Sequence, residues 1–407
     1  MPDRVEAAIL TVGTELVTGM RLDTNTQSIA RALRVAGFAV REATSVPDEE
    51  DGIAEAIARL TERYGMVIVT GGLGPTHDDV TREAAARALG LPLERRADLE
   101  QVLGAAATRH TQSGASRQLL RQAEVLRGAT VLPAVVGTAP GQVVPTAVGR
   151  LVLLPGPPAE LAPLLASALR DEGSAVEPVR LRTTGLSESD AQLLVSQALA
   201  PFIGLGFTIL AAPGDVEVLL FDDGAGETRL LQAGEAARAA LGHFCYSTDG
   251  SSLAETVITT ALSRGARIGT AESCTGGLIS AALTAVPGAS AVIMGGIVAY
   301  SNRMKHAELG VPEALLRRLG AVSAETARAM AAGVAERLDL THAVSVTGIA
   351  GPDGGTPEKP VGLVHFGVYS EGAVATERRQ LSGNREIIRL RATAVALDLL
   401  RTALEDE

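Results

Sequence analysis

The chain of 407 residues has no tryptophan, four tyrosines, six phenylalanines and two cysteines. The cysteines, Cys245 and Cys274, lie far apart, which argues against a disulfide framework or a cysteine-based zinc site. No run of about 18 unbroken apolar residues is present, so no membrane-spanning helix is expected. The opening, MPDRVEAAILTVGTE, has no basic segment backed by an apolar one, and the expectation is a soluble, cytoplasmic protein. Positive charge is scarce too. The formal net charge is −11, and no basic stripe or aromatic platform offers itself to nucleic acid. Lysine is nearly absent: Lys305 and Lys359 are the two lysines among 36 basic residues, the rest being arginine. Arginine cannot give up its proton in a protein and lysine can, so these two positions stand out.

What the chain has is a hydrophobic fraction of 46% with 20% charged residues and no low-complexity tract, the composition of a folded protein. Its length suggests two to four domains at roughly 100–200 residues each. The first 170 residues alternate apolar strands with helical patterns: VEAAILTVG, TNTQSIARALRVAGF, FAVREATSV, EEDGIAEAIARLTERYG, MVIVTGG. That β-α-β-α-β order predicts a doubly wound parallel sheet with ligands at the carboxyl ends of its strands. Further helices are expected at 80–90, 95–112 and 116–125. Residues 171–250 read as a small α+β connector without glycine-rich loops. Residues 251–407 read as another α/β domain, closed by a long helix from REIIRLRATAVALDLL.

Two loops of the first domain carry polar residues directly after strands. One runs from Thr14 and Glu15 to Asp23 and Asn25. The other, GGLGPTHDDVT, holds Gly71, Gly72, Gly74, Thr76, Asp78 and Asp79. Glycines let a backbone approach a phosphate, and the helix behind the loop offers free N–H groups. Two aspartates there would repel a phosphate unless a divalent cation, Mg²⁺ or similar, lies between. The plainer alternative is that Asp79 merely caps the helix. GTAPG with Gly137, and LPGPP with Pro155 and Gly156, are further loops able to line the same crevice.

These segments, VGTELVTG with DTNT, GGLGPTHDDVT, GTAPG and LPGPP, resemble the molybdopterin-binding-type domain at the front of the competence/damage-inducible protein A (CinA) family. The resemblance covers roughly residues 5–170. It implies metal-dependent cleavage of the pyrophosphate of ADP-ribose to AMP and ribose 5-phosphate, with Glu15, Asp23, Asp78 and Asp79 on the acidic positions of the motif. A binding module for a molybdopterin-like ligand is the alternative, since a fold does not choose its substrate.

In the last domain, AESCTGG places Ser273 at a strand-to-helix junction, where the helix dipole would favour developing negative charge, and Gly276 and Gly277 permit close approach. An ordinary N-cap serine is the competing reading, and Cys274 is a rival nucleophile. The next strand ends in YSNRMK, which brings Tyr300 and Lys305. A desolvated lysine can be neutral and accept a serine proton, and Ser-Lys pairs are a recurrent form of activated nucleophile. Tyr300 would relay the proton or hold the lysine. His306, beside Lys305, is a weaker candidate base. A third loop, TGIAGPDGGTPEKPVG, contributes Thr347, Gly348, Gly351, Gly354 and Gly355 as an anion nest, with Lys359 as a point charge for a phosphate.

Together AESCTGG, YSNRMK and TGIAGPDGGTPEKPVG resemble the C-terminal domain of the same family, the nicotinamide-nucleotide amidase, over about 251–405. The resemblance implies hydrolysis of nicotinamide mononucleotide to nicotinate mononucleotide and ammonia, with Ser273 as nucleophile, Lys305 and Tyr300 assisting, and Thr347 with its loop around the substrate. It assigns the substrate phosphate to Arg385 or Arg389, requires no cofactor for this half, and implies a homodimer.

Overall fold

The computed structural model describes residues 5–107, 119–172, 176–222 and 225–406. The chain divides into two compact units, Met1–Glu177 and Pro178–Glu407. Among the described residues no helix is long and apolar enough to cross a membrane.

The first unit contains β1 (Glu6–Val12), α1 (Thr14–Val17), α2 (Thr24–Val35), β2 (Ala39–Val46), α3 (Glu50–Arg63), β3 (Met66–Thr70), α4 (Thr81–Leu89), β4 (Leu93–Arg95), α5 (Ala97–Ala107), β5 (Glu124–Leu126), β6 (Thr130–Leu132), β7 (Gly141–Pro145), β8 (Arg150–Leu154) and α6 (Pro158–Ala168). Its main sheet has the order β2-β1-β3-β8-β7-β6. The first four strands are parallel, and β7 and β6 add an antiparallel edge to the parallel sheet that the sequence predicts. All five residues of β3 are buried, because helices cover both faces. Ala8, Leu10, Val67 and Val69 pack with Ile53, Ile57 and Leu60 of α3, while Ala7, Ile9 and Ile68 meet Ile29 and Leu33 of α2 and Leu161 of α6. Since β2 and β3 flank β1 on opposite sides, the chain reverses there, and a crevice opens between the carboxyl ends of β1 and β3.

One expected helix is cut short. In the described part of 116–125, Leu119 is helical, a 3-10 turn spans Leu120–Ala123, and β5 begins at Glu124 and pairs antiparallel with β4. Burial of Val125 and Leu126, and a 2.9 Å hydrogen bond from the Leu126 amide to Gln142 Oε1, outweigh the local helical pattern. The helix expected over 95–112 is α5; residues 108–112 and 116–118 lie outside the described residues.

The second unit opens with β9 (Val179–Thr183), α7 (Glu188–Leu199), β10 (Leu205–Ala212), β11 (Asp215–Asp222), α8 (Glu227–Leu241) and β12 (Cys245–Ser247). These strands form an antiparallel sheet, β10-β11-β9-β12.

The same unit continues with α9 (Leu253–Arg264), β13 (Ile268–Glu272), α10 (Leu278–Thr284), β14 (Ile293–Val298), α11 (Asn302–Leu309), α12 (Glu313–Leu319), α13 (Ala324–Leu338), β15 (His342–Gly348), β16 (Leu363–Ser370), β17 (Ala373–Gln380) and α14 (Arg385–Glu405). Helix α9 starts in a reciprocal cap: the Glu255 amide donates to Ser252 Oγ at 3.2 Å and the Ser252 amide to Glu255 Oε2 at 2.7 Å. The sheet order is β14-β13-β15-β16-β17, parallel over its first three strands. Side chains alternate across it. Ile268, Val344 and Val346 face α9, α10 and α14, whereas Ala271 and Ala343 face Leu309, Met330 and Val334 of α11 and α13. Glu272 and Ser273, adjacent at the end of β13, therefore leave the sheet on opposite sides. The connector sheet packs closely here: a Cβ added to Gly214, at the β10–β11 turn, would meet the Ala394 Cβ of α14 at 2.5 Å.

Candidate functional site

In the first unit, loops at the carboxyl ends of β1, β3 and β8 enclose a cleft of about 940 Å³, lined by Glu15, Asp23, Asn25, Gly71, Gly72, Gly74, Asp78, Asp79, Pro155 and Gly156. Thr14, Thr76 and Gly137 are not among its lining residues. Thr14 is tied to Asp48, whose Oδ2 accepts from the Thr14 amide at 2.8 Å and its hydroxyl at 2.9 Å. Gly71 has φ +104°, and a Cβ there would strike the Val12 carbonyl oxygen at 2.2 Å, so only glycine lets the two strand ends approach this closely. Asn25 Nδ2 donates to Gly156 O at 2.7 Å, joining two walls of the cleft.

The four acidic residues expected to hold a cation separate into two kinds. Asp23 caps α2, accepting from the Thr26 amide at 2.9 Å and the Thr11 and Thr26 hydroxyls at 3.1 and 2.6 Å. Asp79 closes the glycine loop, accepting from the amides of Gly74 and Thr76, each at 2.8 Å. In these two, the carboxylate oxygens already accept hydrogen bonds that shape their own loops. Asp78 accepts a hydrogen bond from the Thr76 hydroxyl, which lowers its pKa below the usual carboxylate value, and the Glu15 carboxylate makes no hydrogen bond among the described residues. No group of three His, Cys, Asp or Glu converges into a cation cage among the described residues. This donor set fits a cation that keeps most of its shell as water and ligand phosphate, as Mg²⁺ does, and not one housed by protein alone.

Two residues at this cleft escape sequence reading. Arg82, 2% exposed, donates to Leu73 O at 2.6 Å and Gly74 O at 3.1 Å, so a buried guanidinium props the glycine loop. Glu160, from the first turn of α6, lines the cleft, and burial raises its pKa. Neither TREAAARALG nor PPAELAPLL marks these residues as different from surface charge.

In the second unit the structure brings Ser273 and Lys305 together. Lys305 Nζ lies 2.8 Å from Ser273 Oγ and donates to Ala299 O at 2.7 Å. Lys305 is 1% exposed and Ser273 8%. No carboxylate pairs with this lysine among the described residues. Burial pushes its pKa down to about 8, so an appreciable neutral fraction exists near physiological pH. Ser273 is not a helix cap: α10 begins at Leu278 behind Gly277, with no side-chain cap. Cys274 is buried and its thiol is pushed up to about 11, so thiolate is scarce and the rival nucleophile is disfavoured. His306 turns away, its Nδ1 2.9 Å from Val311 O.

Several expected partners sit differently. Tyr300 is 61% exposed, and its hydroxyl accepts from Arg385 Nη2 at 2.9 Å, not from the lysine, because the chain turns outward before α11 starts. Arg385 also donates to Gly351 O at 2.8 Å, so it links Tyr300 to the glycine-rich loop. Arg389 donates to Cys274 O at 3.2 Å and Thr275 O at 2.7 Å and braces the nucleophile segment. Lys359 donates to Leu319 O and Val322 O, each at 2.7 Å, where an ammonium suits the carboxyl end of α12. It anchors the loop in place of presenting a free charge. Thr347 is buried and donates to Ala321 O at 2.7 Å; it stands beside Ser273, whose amide donates to Val346 O at 3.0 Å. Gly276 and Gly277 have φ of +63° and +97°, the left-handed pair that turns the chain from β13 into α10. Gly348 is the last residue of β15, Gly354 and Gly355 lie in the loop behind it, and Gly354 has a positive φ of +87°.

The residue missed here is Glu272. It is fully buried and accepts hydrogen bonds from the amides of Gly277, Ile279 and Ser280 and from the Ser280 hydroxyl. These are the first-turn donors of α10, so the helix dipole that the sequence assigned to Ser273 is directed at Glu272. A signal was present: an acidic residue inside the apolar strand IGTAE.

Comparison with known proteins gives two family matches along the chain. Residues 8–173 match the family described as "Probable molybdopterin binding domain", and residues 250–404 match the CinA C-terminal domain. A CinA-like protein of Kosmotoga olearia is 39% identical over 98% of this chain and 99% of its own length. One from Gemmatimonas aurantiaca is 38% identical over 99% of this chain and 97% of its own. Among solved structures, the competence/damage inducible protein CihA from Agrobacterium tumefaciens is 46% identical, covering 38% of this chain and 93% of that one, with a TM-score of 0.37. The chain belongs to the CinA-like family, with a molybdopterin-binding-type front domain and a CinA C-terminal domain.

Proposed function

We propose that the second unit is an amidohydrolase that opens the carboxamide of nicotinamide mononucleotide. The observation that carries the reading is the 2.8 Å approach of a buried lysine without a carboxylate partner to a serine hydroxyl. Neutral Lys305 takes the Oγ proton as Ser273 bonds to the carboxamide carbon. The lysine then returns that proton to the departing nitrogen, which leaves as ammonia. Water, deprotonated by the same amine, cleaves the ester to nicotinate mononucleotide and frees Ser273. The amide substrate itself rests on the motif resemblance. Incubation with nicotinamide mononucleotide tests it: ammonia release that disappears in Ser273→Ala supports the reading, and equal release in that variant refutes it.

For the first unit, the cleft at the strand switch point supports a second activity, hydrolysis of the ADP-ribose pyrophosphate. Glu15 and Asp78 would hold a divalent cation brought in with the ligand, and that cation supplies charge neutralisation on the phosphates. The glycine loop propped by Arg82 supplies backbone N–H groups. AMP formation that stops with chelator supports this. Tight binding without turnover favours a pterin- or nucleotide-binding module.

A further inference from the structure

Four donors from the turn after Ser273 converge on the Glu272 side chain, and the Thr270 hydroxyl of β13 adds a fifth, to Oε1 at 3.4 Å. Oε2 accepts from the Gly277 amide at 2.9 Å and the Ile279 amide at 3.2 Å, and Oε1 from the Ser280 amide at 2.8 Å and the Ser280 hydroxyl at 2.7 Å. All four belong to the segment within seven residues after Ser273. The carboxyl group is fully buried and has no cationic partner among the described residues. Burying a carboxylate without a counter-charge is expensive, and a strand interior of Ile, Gly, Thr and Ala gives no packing reason for one. Several charge-assisted hydrogen bonds offset that cost and fix geometry as well.

The backbone adds a second constraint. Glu272 O accepts from the Ala299 amide at 2.8 Å, and Lys305 Nζ donates to Ala299 O at 2.7 Å. One residue thus ties down both segments that hold the reacting pair. Its side chain clamps the turn after Ser273, and its carbonyl anchors the strand end before Lys305. The clamp and the lysine lie on opposite sides of β13, since adjacent strand residues alternate.

We infer that Glu272 is a positioning residue, holding the Ser273–Ser280 turn so that the serine hydroxyl meets the lysine amine. This rests on the amidohydrolase reading, because its readout is turnover by Ser273. The placement across the strand means that Glu272 acts through geometry and not by titrating Lys305, whose neighbour of resolved influence is Cys274.

The full-length Glu272→Gln protein keeps the shape and loses acceptor capacity towards the clustered N–H groups. The expected result is a fall in kcat of about 100-fold with KM within about threefold, as for a slightly misplaced nucleophile. The alkaline rise of kcat/KM stays where it is in the wild type, and Glu272→Asp recovers part of the loss. A folded Glu272→Gln protein with wild-type kcat overturns the inference. So does a displaced pH limb, which would make Glu272 an electrostatic partner of the lysine. If Glu272→Gln does not fold, Ser280→Ala decides, because it removes one donor: a roughly fivefold fall in kcat at unchanged melting temperature supports the clamp, and no fall overturns it. Wild-type protein that releases no ammonia sinks the amidohydrolase reading separately. The clamp is then read from the rate at which a fluorophosphonate labels Ser273, expected to fall in Glu272→Gln and overturning the clamp if equal.

Discussion

Both units place their polar residues at the carboxyl ends of parallel strands, and they treat them in opposite ways. In the first, an open cleft of about 940 Å³ is edged by carboxylates, with Asp78 exposed, Glu15 half-buried and no nucleophile–base pair among the lining residues. In the second, Ser273 and Lys305 are 8% and 1% exposed and already in contact. The front cleft is open and its carboxylates have no cationic side chain among its lining residues except Arg21. The rear pair has its proton-transfer geometry before any substrate arrives. Burial makes that difference, since water would keep the lysine protonated and the pair idle.

The largest expected effect separates the two units outright. Ser273→Ala should lower ammonia release by about ten-thousand-fold, measured with nicotinamide mononucleotide, while AMP release from ADP-ribose is untouched. Loss of both would mean that the two activities are not independent. Lys305→Arg should be nearly as damaging, because it keeps the charge and loses the titratable proton.

The second prediction concerns pH. The neutral amine is the active form, so kcat/KM should rise with pH and level off above about 8. The unfolded lysine binds its proton more tightly than the folded one, so the burial penalty is full below about 8 and fades as pH climbs towards the ordinary value of 10.5. At neutral pH that penalty is on the order of 3 kcal/mol. Lys305→Met should therefore be inactive yet melt at a higher temperature at pH 7, with a smaller gain at pH 10. A lower melting temperature at both values would contradict it.

Smaller effects test the front cleft. Glu15→Gln with Asp78→Asn should reduce cation-dependent AMP release by roughly 10- to 100-fold with little change in the melt, because both side chains line the cleft and the pair gives up only the exposed hydrogen bond between Thr76 and Asp78. Asp79→Asn should instead destabilise the protein by about 1–2 kcal/mol, since it leaves loop amides poorly paired. The smallest effect is expected for Cys274→Ala: activity within about threefold and a stability loss of about 1 kcal/mol from the packing gap.

Much of the architecture was legible because period and punctuation were strong. The run MVIVT reads as a strand buried on both faces, and the C-terminal paired strands appear as β16 and β17. The 120–126 segment was not legible, because its strand residues are held by β4, remote in sequence, and by the Gln142 side chain. Among site residues, Ser273 and Lys305 were visible as types at strand ends. Tyr300, Arg389 and Lys359 have partners that the sequence does not show, because a side chain's partner depends on which way the chain leaves its strand, and that direction is tertiary.

The amino-acid order alone determined the elements, the strand-end placement of the polar loops and the choice of lysine where arginine was the habit of the chain. Periodicity and residue chemistry act over a few neighbours, so they can be read locally. Only the folded chain decided which of two lysines is dry and which caps a helix, which aspartates are engaged, and that Glu272 receives the α10 amides. Burial and hydrogen-bond partnership join residues far apart in sequence, and no local pattern encodes them.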